Sequence, residues 1–239
     1  MTIADVSVIV PCYDAERYLG AALESACAQV PAPKEVVVID DGSTDGSAAL
    51  AEGFGGLVRC VRQSHRGIGA ARNAGLAEAR GALIAFLDAD DLWTPGSLAC
   101  RLDLLAADAA VDCASGLTSA FISPELPEET RRRLHCPPGT SRGRGAGAML
   151  LRRAIVEHVG SFDETLAVGE TIDWVARADA AGMKTVTASQ ITLLRRIHDA
   201  STGTRERDHR ADYLQVLKRS LDRRRAAAAR TDPAPPDLE

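Results

Sequence analysis

Residues 6–14 read Val-Ser-Val-Ile-Val-Pro-Cys-Tyr-Asp, and this stretch decides how the N-terminal half folds. Its first five residues form a short apolar run rich in β-branched side chains, which is typical of a buried strand. Pro11 ends the run, because proline cannot donate to a sheet ladder. In the segment that follows, 16–29, the apolar residues are spaced as in a helix, and Pro31 and Pro33 stop it.

The same strand–helix alternation repeats along the first 98 residues. Further apolar strands are predicted at 36–39, 57–61 and 83–87, with helices at about 43–52 and 68–79 between them. This pattern predicts an α/β fold, with a mostly parallel mixed sheet flanked by helices. Polar residues follow three of the strands, so they should gather at the carboxyl ends of the sheet, where such folds bind ligands.

The second half of the chain is less regular. The elements predicted there are helices at 97–107, 148–159 and 171–181, short strands at 185–188 and 191–194, and a long loop over the site at 121–147. Residues 121–147 are interpreted as a loop because they are rich in proline, glycine and arginine.

Composition limits the classes of function. The net charge of -5 and the pI near 5.6 argue against nucleic acid as a partner. We find no apolar run near the roughly 18 residues of a membrane span, and no N-terminal signal pattern, so the expected location is the cytoplasm. The six cysteines are scattered singly, which indicates small buried side chains in a reducing compartment and neither a zinc site nor a redox pair.

A cluster of carboxylates follows the predicted strand at 83–87. Asp88, Asp90 and Asp91 lie within four residues, and a pair spaced by one residue can direct its oxygens at one hard cation such as Mg²⁺ or Mn²⁺. The alternative is a turn with solvated acids that cap the next helix.

Two more polar segments follow strands. Asp40 and Asp41 can accept hydrogen bonds from a base, or can cap the helix that follows. In the segment 66–73, Gly69 allows close backbone approach, while Arg66 and Arg72 suit phosphate near a helix start. The alternative for this segment is a tight turn with solvated arginines.

Four ordered motifs together resemble the family-2 glycosyltransferases with the GT-A fold. They are Ser-Val-Ile-Val-Pro-Cys-Tyr at 7–13, Asp-Asp-Gly-Ser-Thr-Asp at 40–45, Gly-Ala-Ala-Arg-Asn-Ala-Gly at 69–75, and Asp-Ala-Asp-Asp at 88–91. The resemblance implies a single GT-A domain that transfers a sugar, with inversion, from a nucleotide-diphospho-sugar to an acceptor hydroxyl. It also implies a UDP-sugar donor by preference and a Mn²⁺ or Mg²⁺ cofactor.

The resemblance also implies roles for particular residues. The nucleotide-sugar would be bound by Pro11, Tyr13, Asp14, Asp40, Asp41, Arg66, Gly69, Arg72, Asp88 and Ala89. The metal would be held by Asp88, Asp90 and His198. The acceptor side would include Trp93, Gly147 and Trp174. Tryptophans at such positions can stack on a sugar or pack in the core.

The match departs from the family at the expected catalytic base. Members usually carry Glu-Asp ahead of an amphipathic helix, and this chain has Glu170-Thr171. A threonine hydroxyl is a poor base near neutral pH. Glu170 is therefore the favoured base, with Asp173 about one helical turn away as the second candidate. The alternative is that both are ordinary acids at a helix start and that the base lies elsewhere.

The expected domain organisation follows from these motifs. Residues 1–205 would form the glycosyltransferase domain, with 1–98 as the nucleotide-sugar half and 99–205 as the acceptor half. Residues 206–230 read as a basic helix, which could lie peripherally on a membrane surface but is favoured as a docking helix. Residues 231–239 read as a disordered tail. The acceptor can be a saccharide, lipid or peptide.

Two rival functions remain open at this point. One is a catalytically idle nucleotide-sugar-binding module, which Thr171 favours. The other is a sugar nucleotidyltransferase, which would be expected to have a glycine-rich phosphate loop straight after the first strand. This chain has Pro-Cys-Tyr-Asp at 11–14 instead.

Overall fold

The protein is described by a computed structural model that covers residues 3–199 and 218–219. The strands are Ile3–Cys12 (β1), Ala32–Asp40 (β2), Val58–Arg62 (β3), Leu83–Phe86 (β4), Leu92–Trp93 (β5), Cys113–Ile122 (β6), Thr140–Arg142 (β7), Met149–Arg152 (β8) and Thr185–Ile197 (β9). The helices are Glu16–Cys27 (α1), Ser47–Phe54 (α2), Ile68–Glu78 (α3), Ser97–Ala107 (α4), Glu128–Arg133 (α5), Arg153–Val159 (α6) and Glu170–Ala180 (α7). A 3₁₀ turn spans Ala146–Ala148.

One mixed sheet runs through the whole domain in the order β3-β2-β1-β4-β8-β6-β9-β5, with β7 paired to β6. The strands β3, β2, β1 and β4 are all parallel, which confirms the α/β prediction for the first half. Helices cover both sides: α1 and α2 pack on one apolar cluster, and α6 and α7 pack on a second. The parallel strands bring the ends of β1, β2 and β4 to one edge, as predicted.

The helix predicted at 148–159 is wrong in its first part. Residues Met149–Arg152 form β8, which lies antiparallel between β4 and β6, and the helix begins only at Arg153. The physical reason is that Leu150 and Leu151 are buried on opposite faces of the sheet. A short run that is apolar on both faces reads equally well as a buried strand or a helix segment.

Two other expectations for the second half are corrected. The long loop predicted at 121–147 contains the end of β6, the helix α5, the strand β7 and the 3₁₀ turn. The two short strands predicted at 185–188 and 191–194 form one strand, β9, which runs parallel to β6. The pairing of β6 with β9 has register irregularities near Leu117, so the alternation of buried and exposed residues is interrupted midway.

The predicted basic helix and tail, 206–230 and 231–239, lie outside the described residues apart from Lys218 and Arg219. Arg219 donates a hydrogen bond to the Asp163 carboxylate. Within residues 3–199 and 218–219, no helix is both long and apolar enough to span a membrane. The division of the domain into halves at residue 98 stays a prediction.

The cysteines match their predicted role in part. All six are free thiols, with Cys12 and Cys113 buried and the others partly exposed. Burial raises the pKa of Cys12 and of Cys113 to about 12. Both thiols therefore stay protonated near neutral pH, which agrees with a packing role for these two residues.

The buried carboxylate of Glu35 in β2 is hydrogen-bonded to residues of β1 and β3. Glu35 accepts hydrogen bonds from the Ser7 hydroxyl at 2.6 Å, from the Arg80 amide at 2.6 Å and from Arg59 Nε at 3.1 Å. Burial would raise the pKa of Glu35, but these donors outweigh burial and hold the pKa below its usual value. The charged form is therefore the one the fold stabilises.

We expect Glu35→Gln to destabilise the domain at pH 7 by about 1–3 kcal/mol, because it removes a charge that accepts three hydrogen bonds. A lowered folded-state pKa gives stability that is present above the unfolded pKa and lost as pH falls through the folded value. Unfolding by urea would be measured from pH 3 to 7, and the free energy of unfolding should fall less steeply at low pH for the variant than for wild type. An equally steep fall in both proteins would contradict this account of Glu35.

Candidate active site

The carboxylate turn Asp88–Asp91 follows β4 and lies beside the end of β9. His198 Nε2 lies 3.0 Å from Asp90 Oδ2. The Arg196 amide donates to Asp91 Oδ1 at 2.9 Å, and Arg196 Nε donates to the Asp90 carbonyl at 2.8 Å. Strands distant in sequence thus fix the turn, and the structure brings together the predicted metal ligands Asp90 and His198.

Arg72 joins this turn to the start of α7. It is only 2% exposed, donates from Nη2 to Asp88 Oδ1 at 2.8 Å, and pairs through Nη1 with Glu170 Oε1. The same Nη1 donates to Thr171 Oγ1 at 2.7 Å. One buried guanidinium therefore links the predicted donor-side Asp88 to the predicted base Glu170.

Charge is concentrated at this edge of the sheet. Burial, with the neighbouring carboxylates of Asp90 and Asp88, holds the pKa of Asp91 well above its usual value. Burial also raises the pKa of Asp88, although the Arg72 guanidinium acts in the opposite direction. Carboxylates this close repel one another, and a cation in the cleft would relieve that repulsion.

Two of the three predicted metal ligands lie together, and the third is paired with an arginine. Asp90 and His198 bring a carboxylate oxygen and an imidazole nitrogen to within 3.0 Å of each other, while Asp88 is engaged by Arg72. Among the described residues, no group of three or more His, Cys, Asp or Glu side chains could hold a metal. Mg²⁺ and Mn²⁺ sites are commonly completed by substrate phosphates, so Asp90 and His198 would hold the ion and a diphosphate would supply further ligands.

Asp41 is buried beneath the segment 63–67, which precedes α3. Its carboxylate accepts hydrogen bonds from the amides of Arg66 at 3.0 Å and Gly67 at 2.8 Å. The anion at the start of α3 is therefore the protein's own side chain. This arrangement leaves the amides of Arg66 and Gly67 unavailable to a phosphate group.

The side-chain position of Gly69 faces the protein, and the predicted approach of a ligand to its backbone stays a prediction. A Cβ added at Gly69 would lie 3.0 Å from the Asp163 carbonyl oxygen, so the protein backbone occupies that space. Arg66 pairs with Glu164 at 2.6 Å across the same contact. The missing side chain at Gly69 serves packing of the 163–164 turn against α3.

The loops after β1 and β2 are joined by reciprocal hydrogen bonds. Asp14, whose φ is +47°, accepts from the Thr44 amide at 2.7 Å, and its own amide donates to Ser43 Oγ at 3.0 Å. The Glu16 amide donates to Asp45 Oδ2 at 3.0 Å. Asp14 thus holds the loop of Tyr13 in place, and its predicted contact with a donor stays a prediction.

The remaining donor-side residues surround this loop. Pro11 and Ala89 are buried in the sheet edge, and Tyr13 is 47% exposed. Asp40 is buried, and its Oδ1 has no hydrogen-bond partner in the part of the chain that the structure describes. A buried acceptor without a donor is costly, so Asp40 suits a water or a ligand hydroxyl.

Both tryptophans are buried, which favours the alternative of core packing over sugar stacking. Trp93 is buried, donates from Nε1 to the Gly147 carbonyl at 2.9 Å and lies under the Arg101 guanidinium. Trp174 is buried against Phe162. Gly147 lies in the buried 3₁₀ turn, so its contribution is a backbone carbonyl that positions Trp93.

Asp173 pairs with another residue of its own helix. Its Oδ2 accepts from Arg177 Nε at 2.9 Å, and Arg177 in turn donates to the carbonyls of Val159 and Ser161. This network fastens α7 to the end of α6. Of the two predicted bases, only Glu170 contacts the group that binds Asp88.

Sequence reasoning missed several residues that shape the site. Arg196 is buried between the rings of Tyr18 and Phe121 and holds the carboxylate turn. His65 hydrogen-bonds the Asp41 carbonyl and stacks on Tyr13. The position of His65 directly before the segment 66–73 is a weak signal for either contact.

Comparison with known proteins agrees with this geometry. Residues 7–160 match the profile of the family described as glycosyl transferase family 2. The succinoglycan biosynthesis protein ExoU of Rhizobium meliloti is 37% identical over 209 residues, which cover 75% of this chain and 58% of ExoU. This chain therefore spans less than two thirds of that relative's length.

Two solved structures share the fold. S. aureus TarS 1-349 in complex with UDP-GlcNAc superposes with a TM-score of 0.70 at 20% identity, over 93% of this chain and 66% of that one. The mannosyltransferase PcManGT of Pyrobaculum calidifontis, in complex with GDP-Man and Mn²⁺, superposes with a TM-score of 0.64 at 23% identity. The superposition covers 97% of this chain and 66% of PcManGT. The family profile covers more than half of the sequence: the chain belongs to glycosyl transferase family 2.

Proposed function

We propose that this protein transfers a sugar, with inversion, from a nucleotide-diphospho-sugar to an acceptor hydroxyl, with Mn²⁺ or Mg²⁺ as cofactor and a UDP-sugar as the favoured donor. The observation that carries the proposal is the convergence of Asp90 and His198, 3.0 Å apart, next to the Asp88–Arg72–Glu170 bridge. Complexes of UDP-GlcNAc and GDP-Man with proteins of the same fold support the donor class.

In the proposed cleft, donor and metal binding fall to one set of residues and proton acceptance to another. Tyr13 offers an exposed ring to the donor's base, while Asp90 and His198 would hold the cation. When bound, the cation would stabilise negative charge on the departing diphosphate. Glu170 lies at the acceptor side; its described contacts fall on Oε1, which leaves Oε2 as the oxygen that would receive the acceptor's proton.

An idle nucleotide-sugar-binding module is the second candidate, and one contact favours it. Glu170 is 6% exposed and shares the positive charge of Arg72. This burial and pairing restrict the access of an acceptor hydroxyl to the Glu170 carboxylate. If Glu170 cannot accept a proton, the protein would bind a donor without transferring its sugar.

Donor hydrolysis tests the proposal. The full 239-residue chain would be incubated with UDP-GlcNAc or GDP-Man, with Mn²⁺ or with EDTA, and release of UDP or GDP would be measured. We expect release with Mn²⁺ and loss of release with EDTA. Tight nucleotide binding without release, with or without added acceptors, would favour the binding module. Pyrophosphate release from a nucleoside triphosphate and a sugar phosphate would favour the nucleotidyltransferase.

The assignment of the base predicts a contrast between two isosteric variants. Glu170→Gln should reduce transfer by about 100- to 10,000-fold, the usual contribution of a positioned base, and should leave the Kd for the nucleotide-sugar unchanged. Asp173→Asn should keep transfer within about tenfold of wild type, because the Asp173 carboxylate is paired with Arg177. Full transfer by Glu170→Gln would exclude Glu170 as the base.

A further inference from the structure

The phenol ring of Tyr18 packs against the proposed metal ligand His198. Tyr18 lies on the buried face of α1 and is 7% exposed, and His198 is 6% exposed. The two ring centroids are 4.5 Å apart, with an angle of 45° between the ring planes. Aromatic rings at this separation are in direct contact, so a side chain from the first helix borders the imidazole of His198.

Tyr18 also contacts the arginine that holds the carboxylate turn. The Arg196 guanidinium lies 4.9 Å from the centroid of the Tyr18 ring, and Arg196 Nε donates to the Asp90 carbonyl at 2.8 Å. His198 Nε2 lies 3.0 Å from Asp90 Oδ2. The ring of Tyr18 therefore packs against two side chains that contact Asp90.

These contacts involve the ring of Tyr18 and not its hydroxyl. The hydroxyl oxygen is buried, and it has no hydrogen-bond partner among the residues that the structure describes. A buried hydroxyl without a partner does not stabilise the fold. The contribution of Tyr18 therefore comes from its ring, and a phenylalanine should be able to replace it.

The orientation of His198 matters because a metal-binding imidazole must present one particular nitrogen to the cation. Rotation of a histidine ring about χ2 has broad minima, so packing has to select the orientation that directs Nε2 toward Asp90. We infer that Tyr18 is a positioning residue of the metal site: its ring fixes the orientation in which His198 presents Nε2. This inference rests on the proposed function, because it requires a bound cation.

The affinity for Mn²⁺ tests the inference without a measurement of sugar transfer. The Kd of Mn²⁺ would be determined by electron paramagnetic resonance with the full chain, and UDP would be present to supply phosphate ligands. Tyr18→Leu should raise this Kd about tenfold or more, the usual effect of removing a group that orients a metal-binding histidine. Tyr18→Phe keeps the ring and should leave the Kd within about twofold of wild type.

A double-mutant cycle tests whether Tyr18 acts through His198. Tyr18→Leu added to His198→Ala should change the Kd of Mn²⁺ by less than about twofold, because no imidazole remains to be oriented. Phe54→Leu is the matched control: Phe54 in α2 packs against the apolar core, and its replacement should leave the Kd unchanged. Circular dichroism would establish that each variant is folded, and Tyr18→Met would replace Tyr18→Leu if that variant did not fold.

Three results would overturn the inference alone, provided that wild type binds Mn²⁺. They are an unchanged Kd in Tyr18→Leu, an equal rise of the Kd in Tyr18→Phe, and an equal rise caused by Tyr18→Leu with and without His198. Failure of wild type to bind Mn²⁺ in the presence of UDP would instead contradict the metal dependence of the proposed function.

Discussion

Asp90→Ala is expected to reduce Mn²⁺-dependent donor hydrolysis and transfer by about 100- to 1000-fold, the scale lost when one group that stabilises the developing charge is removed. Asp90 is the carboxylate whose oxygen lies 3.0 Å from His198 Nε2, and its removal would leave the imidazole as the remaining ligand of that pair. The variant should also bind Mn²⁺ more weakly, which calorimetry or electron paramagnetic resonance can measure directly.

A matched control separates loss of the ligand from a general loss of charge. Asp103→Ala removes an exposed carboxylate from α4, away from the cleft, and should leave hydrolysis and Mn²⁺ affinity unchanged. Full activity in Asp90→Ala, with unaltered dependence on Mn²⁺, would show that Asp90 does not hold the cation. Circular dichroism of both variants would establish that each is folded.

The N-terminal half could be predicted because its signals are local. The strands β1 and β2 each contain a short apolar run that is followed by polar residues, and α3 begins after Gly67, which has a positive φ. The second half depends on pairings between distant segments. The strand β8 is defined by its neighbours β4 and β6, and no periodicity in four residues can reveal that.

The same distinction applies to the site. The proximity of Asp90 and His198 could be expected from the family resemblance. The partners of these residues could not. Arg72 contacts Glu170 across 98 positions and Asp88 across 16, and Asp41 is surrounded by donors from its own chain. Residue type indicates which chemistry is possible, whereas contacts decide whether a group is still available for it.

Arg72→Met is expected to lower the free energy of unfolding by about 3–5 kcal/mol, the cost of removing one partner from a buried ion pair. Glu170 is buried, and the Arg72 guanidinium is the cation it shares with Asp88. Methionine fills much of the same volume, so the loss would come from uncompensated charge and not from a cavity. Urea unfolding at pH 7 measures the effect.

Two further variants test whether the loss of stability in Arg72→Met comes from buried charge. Arg66→Met removes a cation from an exposed pair with Glu164 and should cost less than about 1 kcal/mol. Adding Glu170→Gln to Arg72→Met removes one of the stranded carboxylates, so the double variant should recover part of the lost stability. If Arg72→Met were no more costly than Arg66→Met, the Asp88–Arg72–Glu170 bridge would not be a charged buried unit.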